Sequence, residues 1–440
     1  MPQPVRKVVF APLGADTCGD DILLFEHGIL FALEMAAEAA GLSFADVHEA
    51  LGGNDKKDRP LPPLRDTEVR TLSAKAGCDA FIDGMLLTAR NPEQGGLSEV
   101  AVAPRIFYPA NDRSDAIDGG SADDHNTRVA GDRFDAPAAL LFRAFAEDAL
   151  PESLQLDFDL YIGFQYRVCE AVFDSLNIDL PPGFTADTLQ VTTSWDAYEL
   201  FLKGKRLTQI PEAKLGYYEQ AIQRDPRFFL ALYNCAMIYK TQTNYHDARN
   251  RLLRAASATT DEKLLTDVYF ELGLCSIYLG DTKTARNFWE HALELGSDNP
   301  SLYVNMAGTY EQEEKWSEAR RLNELALERF PDYHKAIVNL ARLSAMFGEI
   351  DQAISLYERA LALQPDDSLR RSILGGCYLA VGRSEDARRE FEQAIELDPT
   401  GDPATYARQE LEKLGAEDKK RKKLDDDMDE TKKKKRWGLW

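Results

Sequence analysis

A small residue recurs at a nearly fixed interval through the second half of this chain. Ala236, Gly273, Ala307, Ala341 and Gly375 follow one another at steps of 37, 34, 34 and 34 residues. Twelve residues after each stands an alanine (Ala248, Ala285, Ala319, Ala353, Ala387), and seven further on another (Ala255, Ala292, Ala326, Ala360, Ala394). Such a period, shared by two short apolar-striped segments, specifies stacked helical hairpins. Each hairpin is too small to bury its own apolar face, so neighbours must stack. Alanine or glycine is needed where two helix axes come close, because a larger side chain would push them apart. Tyr269, Trp289, Tyr303, Tyr357, Tyr378 and Phe391 fill the remaining gaps. Gly280, Gly348 and Gly382 fall where the first helix of a hairpin must end in a left-handed residue. Pro226, Pro331, Pro365 and Pro399 fall at the start of the next unit, where no N–H is required.

The stretches "LGLCSIYLGDTKTARNFWEHALELG" and "NLARLSAMFGEIDQAISLYERALALQP" carry this pattern in full and resemble the tetratricopeptide repeat. Five units span about 229–399, a degenerate one precedes them, and "PATYARQELEKLG" at 403–415 reads as a capping helix. The expected organisation is an α/β N-terminal domain over 1–176, a linker over 177–193, an all-α solenoid of about six repeats and a cap over 194–415, and a charged, disordered tail over 416–440.

The N-terminal part alternates strand-like and helix-like segments, which implies a small sheet covered by helices. "VRKVVFAPLG" reads as a strand, 22–41 as a largely buried helix, 66–76 as a helix, and 79–90 and 97–110 as strands. "DAPAALLFRAFAEDAL" and "DFDLYIGFQYRVCEAVFDSL" read as helices. "KVVFAPLG" and "AKAGCDAFIDGML" resemble the opening strand and central strand of the α/β domain of the TolB translocation protein, although the Asp-rich insertion at 109–136 departs from it. The carboxylates of that insertion lack the spacing of a calcium loop, and a solvated loop is expected there.

The net charge of −22 speaks against nucleic acid as a partner, since phosphate must be met by Lys and Arg. The six cysteines are scattered with no CxxC pair, as expected of reduced core residues in a cytoplasmic protein. No apolar run is long enough to span a membrane and no signal peptide is evident. A Gly-rich phosphate loop, GxSxG, HExxH and clustered histidines are all missing. His27, on an apolar helix, reads as a core histidine, and the carboxylates around Cys18 would raise a thiol pKa rather than activate it. The expectation is a protein without catalytic residues, cofactor or metal.

Resemblance to peptide-binding tetratricopeptide arrays implies a concave groove lined by the first helix of each hairpin. It places Asn234, Asn305 and Asn339 in that groove, where an amide can hold an extended peptide backbone. Tyr278, Lys335, Arg342 and Met346 would be their neighbours. An asparagine here can equally be a solvated residue, and Glu271 and Ile373 break the series. Residues 417–440 carry basic, acidic and basic blocks of net charge +3 and close on Trp-Gly-Leu-Trp. Trp437, Leu439 and Trp440 are candidate docking anchors. The Lys run and Trp pair also allow contact with an anionic membrane surface. The composite expectation is a bacterial interaction scaffold that holds a protein or peptide partner and can homo-oligomerise. The alternative is a small-ligand sensor or enzyme-associated regulator in the α/β domain, with the repeats as docking arm.

Overall fold

The computed structural model describes residues 7–10, 14–15, 20–46, 80–90, 97–108, 133–135, 140–143, 158–206 and 210–436, together with Val69, Ser73 and Cys78. The chain divides into two compact units, Met1–Thr260 and Asp261–Trp440.

In the first unit a seven-stranded sheet forms from the described segments β1 (Lys7–Phe10), β2 (Gly14–Ala15), β3 (Ser43–Asp46), β4 (Ala80–Arg90), β5 (Leu97–Tyr108), β6 (Arg133–Asp135) and β7 (Leu140–Arg143). The order is β3-β1-β4-β5-β6, with β2 on β4 and β7 on β5. β1 is parallel to β3 and β4, and β4 and β5 form a long antiparallel pair running from Phe81↔Phe107 to Thr88↔Val100. The expected strands at 79–90 and 97–110 are thus present. The helix expected over 135–150 is not: Leu140–Arg143 pairs with β5 in the register Val102↔Leu140 to Glu99↔Arg143, and Arg133–Asp135 extends the same edge. Leu140–Phe142 is too short an apolar run to show a periodicity of its own, so the open edge of β5 decides its conformation. Residues 109–132, most of the Asp-rich insertion, Cys18, and most of the helix expected at 66–76 lie outside the described residues.

Helix α1 (Asp20–Ala39) is nearly covered from His27 to Ala37, with His27 itself buried. It meets α2 (Phe158–Ser175) at Gly28, where a Cβ would lie 2.2 Å from the Tyr161 Oη. After the short α3 (Ala186–Leu189) comes the degenerate first repeat, α4 (Trp195–Arg206) and α5 (Pro211–Arg224). Phe31 of α1 sits edge-on to Phe201 of α4 at 5.5 Å, and Glu34 pairs with Lys205 at 3.1 Å. The sheet-bearing part and the first repeat therefore share one core. The segment expected as a linker takes part in it: Phe184 and Leu189 are buried, and the Thr192 hydroxyl donates to Asp225 at 2.6 Å. A second hairpin, α6 (Phe229–Thr241) and α7 (Tyr245–Ala258), completes this unit.

The second unit holds α8 (Glu262–Tyr278), α9 (Thr282–Glu294), α10 (Ser301–Gln312), α11 (Trp316–Arg329), α12 (His334–Met346), α13 (Ile350–Leu363), α14 (Ser368–Ala380) and α15 (Ser384–Leu397). Ala285, Ala319, Ala353 and Ala387 are all fully buried, as are Ala292, Ala326, Ala360 and Ala394. The glycines among the small positions answer to large neighbours. A Cβ on Gly273 would stand 2.0 Å from Trp289, and one on Gly375 would stand 2.6 Å from Phe391. Gly280, Gly348 and Gly382 close their first helices at φ of 80°, 80° and 76°. In the equivalent turn of α10–α11 a non-glycine, Glu314, sits at φ 57°. Successive hairpins are also tied by arginines at one repeated position: Arg286 to Glu313 at 2.7 Å, Arg320 to Glu349 at 2.8 Å, and Arg388 to Asp418.

The last helix corrects the reading of the tail. α16 (Asp402–Arg436) does not stop at Gly415 but runs for 35 residues. Its first turns belong to the core, where Ala407 joins Leu374, Cys377 and Phe391. Beyond Gly415 every residue to Glu430 is exposed. The helix persists there because opposite charges stand four apart: Asp418 with Lys422, Lys422 with Asp426, Asp429 with Lys433, Glu430 with Lys434. Each such pair adds about 0.2–0.5 kcal/mol, which replaces the missing tertiary contact.

Candidate interaction groove

Along α12, Lys335, Val338, Asn339, Arg342 and Met346 follow helical spacing and form one stripe. The same spacing selects Ser301, Val304, Asn305, Gly308 and Glu311 on α10, Leu369, Ile373, Gly376 and Leu379 on α14, and Tyr406 on α16. These stripes adjoin. Arg342 forms an ion pair with Glu311, joining α12 to α10. A Cβ on Gly376 would lie 3.3 Å from the Tyr406 Oη, joining α14 to α16.

The three asparagines have different local fates. Asn234 lies in the first unit and donates its amide to the Leu230 carbonyl of its own helix at 2.7 Å. Asn339 donates to the Asn323 Oδ1 at 3.2 Å, and Asn323, fully buried, donates in turn to the Ala319 carbonyl at 2.8 Å. Asn305 is half-buried and its side chain has no hydrogen-bond partner among the described residues. Of the three, Asn305 keeps both its donor and its acceptor available.

The neighbours are more open. Tyr278 is 63% exposed at the end of α8, Met346 is 48% exposed, and Lys335 and Arg342 are both exposed. Two residues not anticipated as site residues extend the apolar character. Leu369 is 45% exposed and Tyr406 is 43% exposed, the latter held edge-on against Phe391 at 5.9 Å. The signal for Leu369 was its place in the stripe, and Tyr406 was concealed because the capping helix lacks the repeat signature. The stripe thus carries carboxylates on α8 and α10 (Asp267, Glu271, Glu311), two cations beside Met346 on α12 (Lys335, Arg342), and apolar side chains on α14 and α16. Trp437, Leu439 and Trp440 lie outside the described residues.

Cys78, Cys169, Cys235, Cys275 and Cys377 are buried and form no disulfide among the described residues, and burial pushes the Cys235 thiol up to about 12. Among the described residues no group of three or more His, Cys, Asp or Glu side chains is placed to hold a metal ion, and no helix is long and apolar enough to cross a membrane. His334, at the start of α12, has its pKa lowered by burial and by the neighbouring Arg370.

Comparison with known proteins agrees with this architecture. Two tetratricopeptide-repeat family models match, at residues 304–368 and 344–411. Human anaphase-promoting complex subunit 7 is 32% identical over 119 residues, covering 27% of this chain and 21% of that protein. The type IV pilus assembly protein PilF of Pseudomonas aeruginosa is 27% identical over 138 residues, covering 31% of this chain and 54% of that protein. The chain thus spans between about a fifth and about half the length of these two relatives. Among solved structures, YrrB, described as a TPR protein with an unusual peptide-binding site, superposes with a TM-score of 0.36 at 19% identity, covering 44% of this chain and 97% of that one. Residues 304–411 are tetratricopeptide repeats, which typically mediate protein–protein interactions and are ordinarily non-catalytic. The matching models fall within the second unit, and the resemblance of residues 1–176 to the TolB domain is not supported by the comparisons.

Proposed function

We propose that this protein is a non-catalytic interaction scaffold that holds a peptide or protein partner along the exposed stripe of α8, α10, α12 and α14. The observation that carries the reading is the juxtaposition of Asn305, with its amide available, and exposed Tyr278, Arg342, Met346 and Leu369 on adjoining first helices. A half-buried primary amide offers one donor and one acceptor to an extended backbone, and the flanking side chains supply selectivity. Tyr278 brings a large rigid contact surface at small entropic cost. The buried, reduced thiols suit a reducing cytoplasm.

The reading is tested by selecting binders from a displayed random-peptide library on the immobilised full chain. The recovered peptides are then measured against Asn305→Ala and Met346→Glu by fluorescence anisotropy. Each substitution is expected to weaken binding by about tenfold, the equivalent of 1.4 kcal/mol. Failure to recover any peptide, or affinities unchanged in both variants, would overturn it.

A further inference from the structure

The groove has an occupant written into the same sequence. We propose that it receives the segment Lys432–Trp440 of a second copy of this chain, giving head-to-tail self-association; the inference rests on the groove reading above.

Three observations favour this partner. First, the chemistry is complementary in order. The segment reads Lys-Lys-Lys-Lys-Arg and then Trp-Gly-Leu-Trp, basic followed by apolar. The groove carries Asp267, Glu271 and Glu311 at one end, Glu311 already paired with Arg342, then Lys335 and Arg342 on α12, and exposed apolar Met346, Leu369 and Tyr406 at the other end. Exposed apolar side chains of this size are natural seats for tryptophan anchors. Second, the lengths agree. Packed helices stand about 10 Å apart, so α8 to α14 spans about 30 Å. Nine residues in extended form also reach about 30 Å. Docking therefore requires the last turn of α16, Lys432–Arg436, to open, a step eased by the like charges of Lys432 and Arg436 standing four apart. Third, the chain cannot readily serve itself. α16 continues from Gly415 to Thr431 before that segment begins, which at 1.5 Å per residue carries it about 25 Å beyond its last core contacts. Folding back would break that helix near its root, whereas a neighbouring molecule can be reached by opening only its last turn. Such a contact joins two different surfaces, so it propagates from copy to copy instead of closing as a symmetric dimer.

The test uses the full chain, a variant lacking residues 437–440, and Leu369→Asp, with Met346→Glu as a second groove variant. All are checked for unchanged helical content and melting. Sedimentation at about 1 to 100 µM should show the full chain growing with concentration while each variant stays monomeric. Mixing the truncated chain with Leu369→Asp should restore one 1:1 complex, because each partner retains one half of the contact. A labelled peptide of residues 430–440 should bind the truncated chain and lose at least tenfold in affinity to its Leu369→Asp form. A full chain that is monomeric throughout, or association that survives both variants, overturns the proposal; so does a peptide that binds only after truncation while the full chain stays monomeric, since that marks docking within one molecule. If library-selected peptides bind the groove and the 430–440 peptide does not, self-docking falls and the groove reading stands; if neither binds, both fall.

Discussion

The hairpins α8–α9 and α10–α11 occupy the same place in successive repeats and are locked by opposite means. In the first, Gly273 makes room for Trp289, which is buried against Leu302 and Met306 and donates its indole N–H to the Phe270 carbonyl at 3.1 Å. In the second, the small residue is Ala307 and the residue sixteen further on is Asn323. Asn323 fills less space, satisfies its own amide on the Ala319 carbonyl, and accepts from Asn339 across the helix pair. One lock is bulk against a missing Cβ. The other is a buried polar network that reaches the groove. A repeat therefore fixes where a helix goes but leaves open what each interface does with its buried volume.

The contrast can be broken most severely at the tryptophan. Trp289→Ala should cost about 3–5 kcal/mol, seen as a lower denaturation midpoint, because a fully buried aromatic leaves a cavity. Gly273→Ala should cost about 1–3 kcal/mol in the same assay, since the added methyl meets an indole with nowhere to move. Exchanging the locks sharpens the comparison. Asn323→Phe alone should destabilise against Ala307, and adding Ala307→Gly should recover more than about 1 kcal/mol in a double-mutant cycle. The same exchange should release the Asn339 amide and change peptide affinity without touching an exposed residue. The turns give a smaller effect. Glu314→Gly should raise stability by about 0.5 kcal/mol, while Gly280→Ala in the matching turn should lower it by about 1 kcal/mol, both at φ values that disfavour a Cβ.

The smallest effect is pH-dependent. His334 has a folded pKa below its usual value of about 6.5, through burial and then Arg370. The unfolded chain therefore binds the proton first as the pH falls. The contribution of this site is complete above about pH 6.5 and declines below it. His334→Gln should flatten the stability profile between pH 7 and 5, measured by thermal denaturation.

These hairpins also show what a sequence discloses. The small positions, the paired alanines and the left-handed glycines were legible because each answers a steric demand that repeats with the fold. β4 and β5 were legible from their length and alternation. Residues 133–135, expected mostly in a loop, and 140–143, expected in a helix, were misread, because their strands exist only through the edge of β5. The tail was misread for a different reason: its charges were weighed by sign and number, not by their spacing of four. In the groove, identical asparagines at equivalent positions looked interchangeable. The substitution of Asn323 for the aromatic found at 289, 357 and 391 was the visible sign that Asn339 would be drawn inward.

The exposed half of α16 has a further consequence. Its helical state draws on attraction between opposite charges spaced four apart in water, which weakens as the Debye length shrinks from about 10 Å at 0.1 M salt to about 3 Å at 1 M. Ionic strength would then act on this element as a stiffness control. A dilute medium keeps the rod straight and holds whatever it bears at a set distance, whereas a concentrated one lets it slacken into a tether of variable reach.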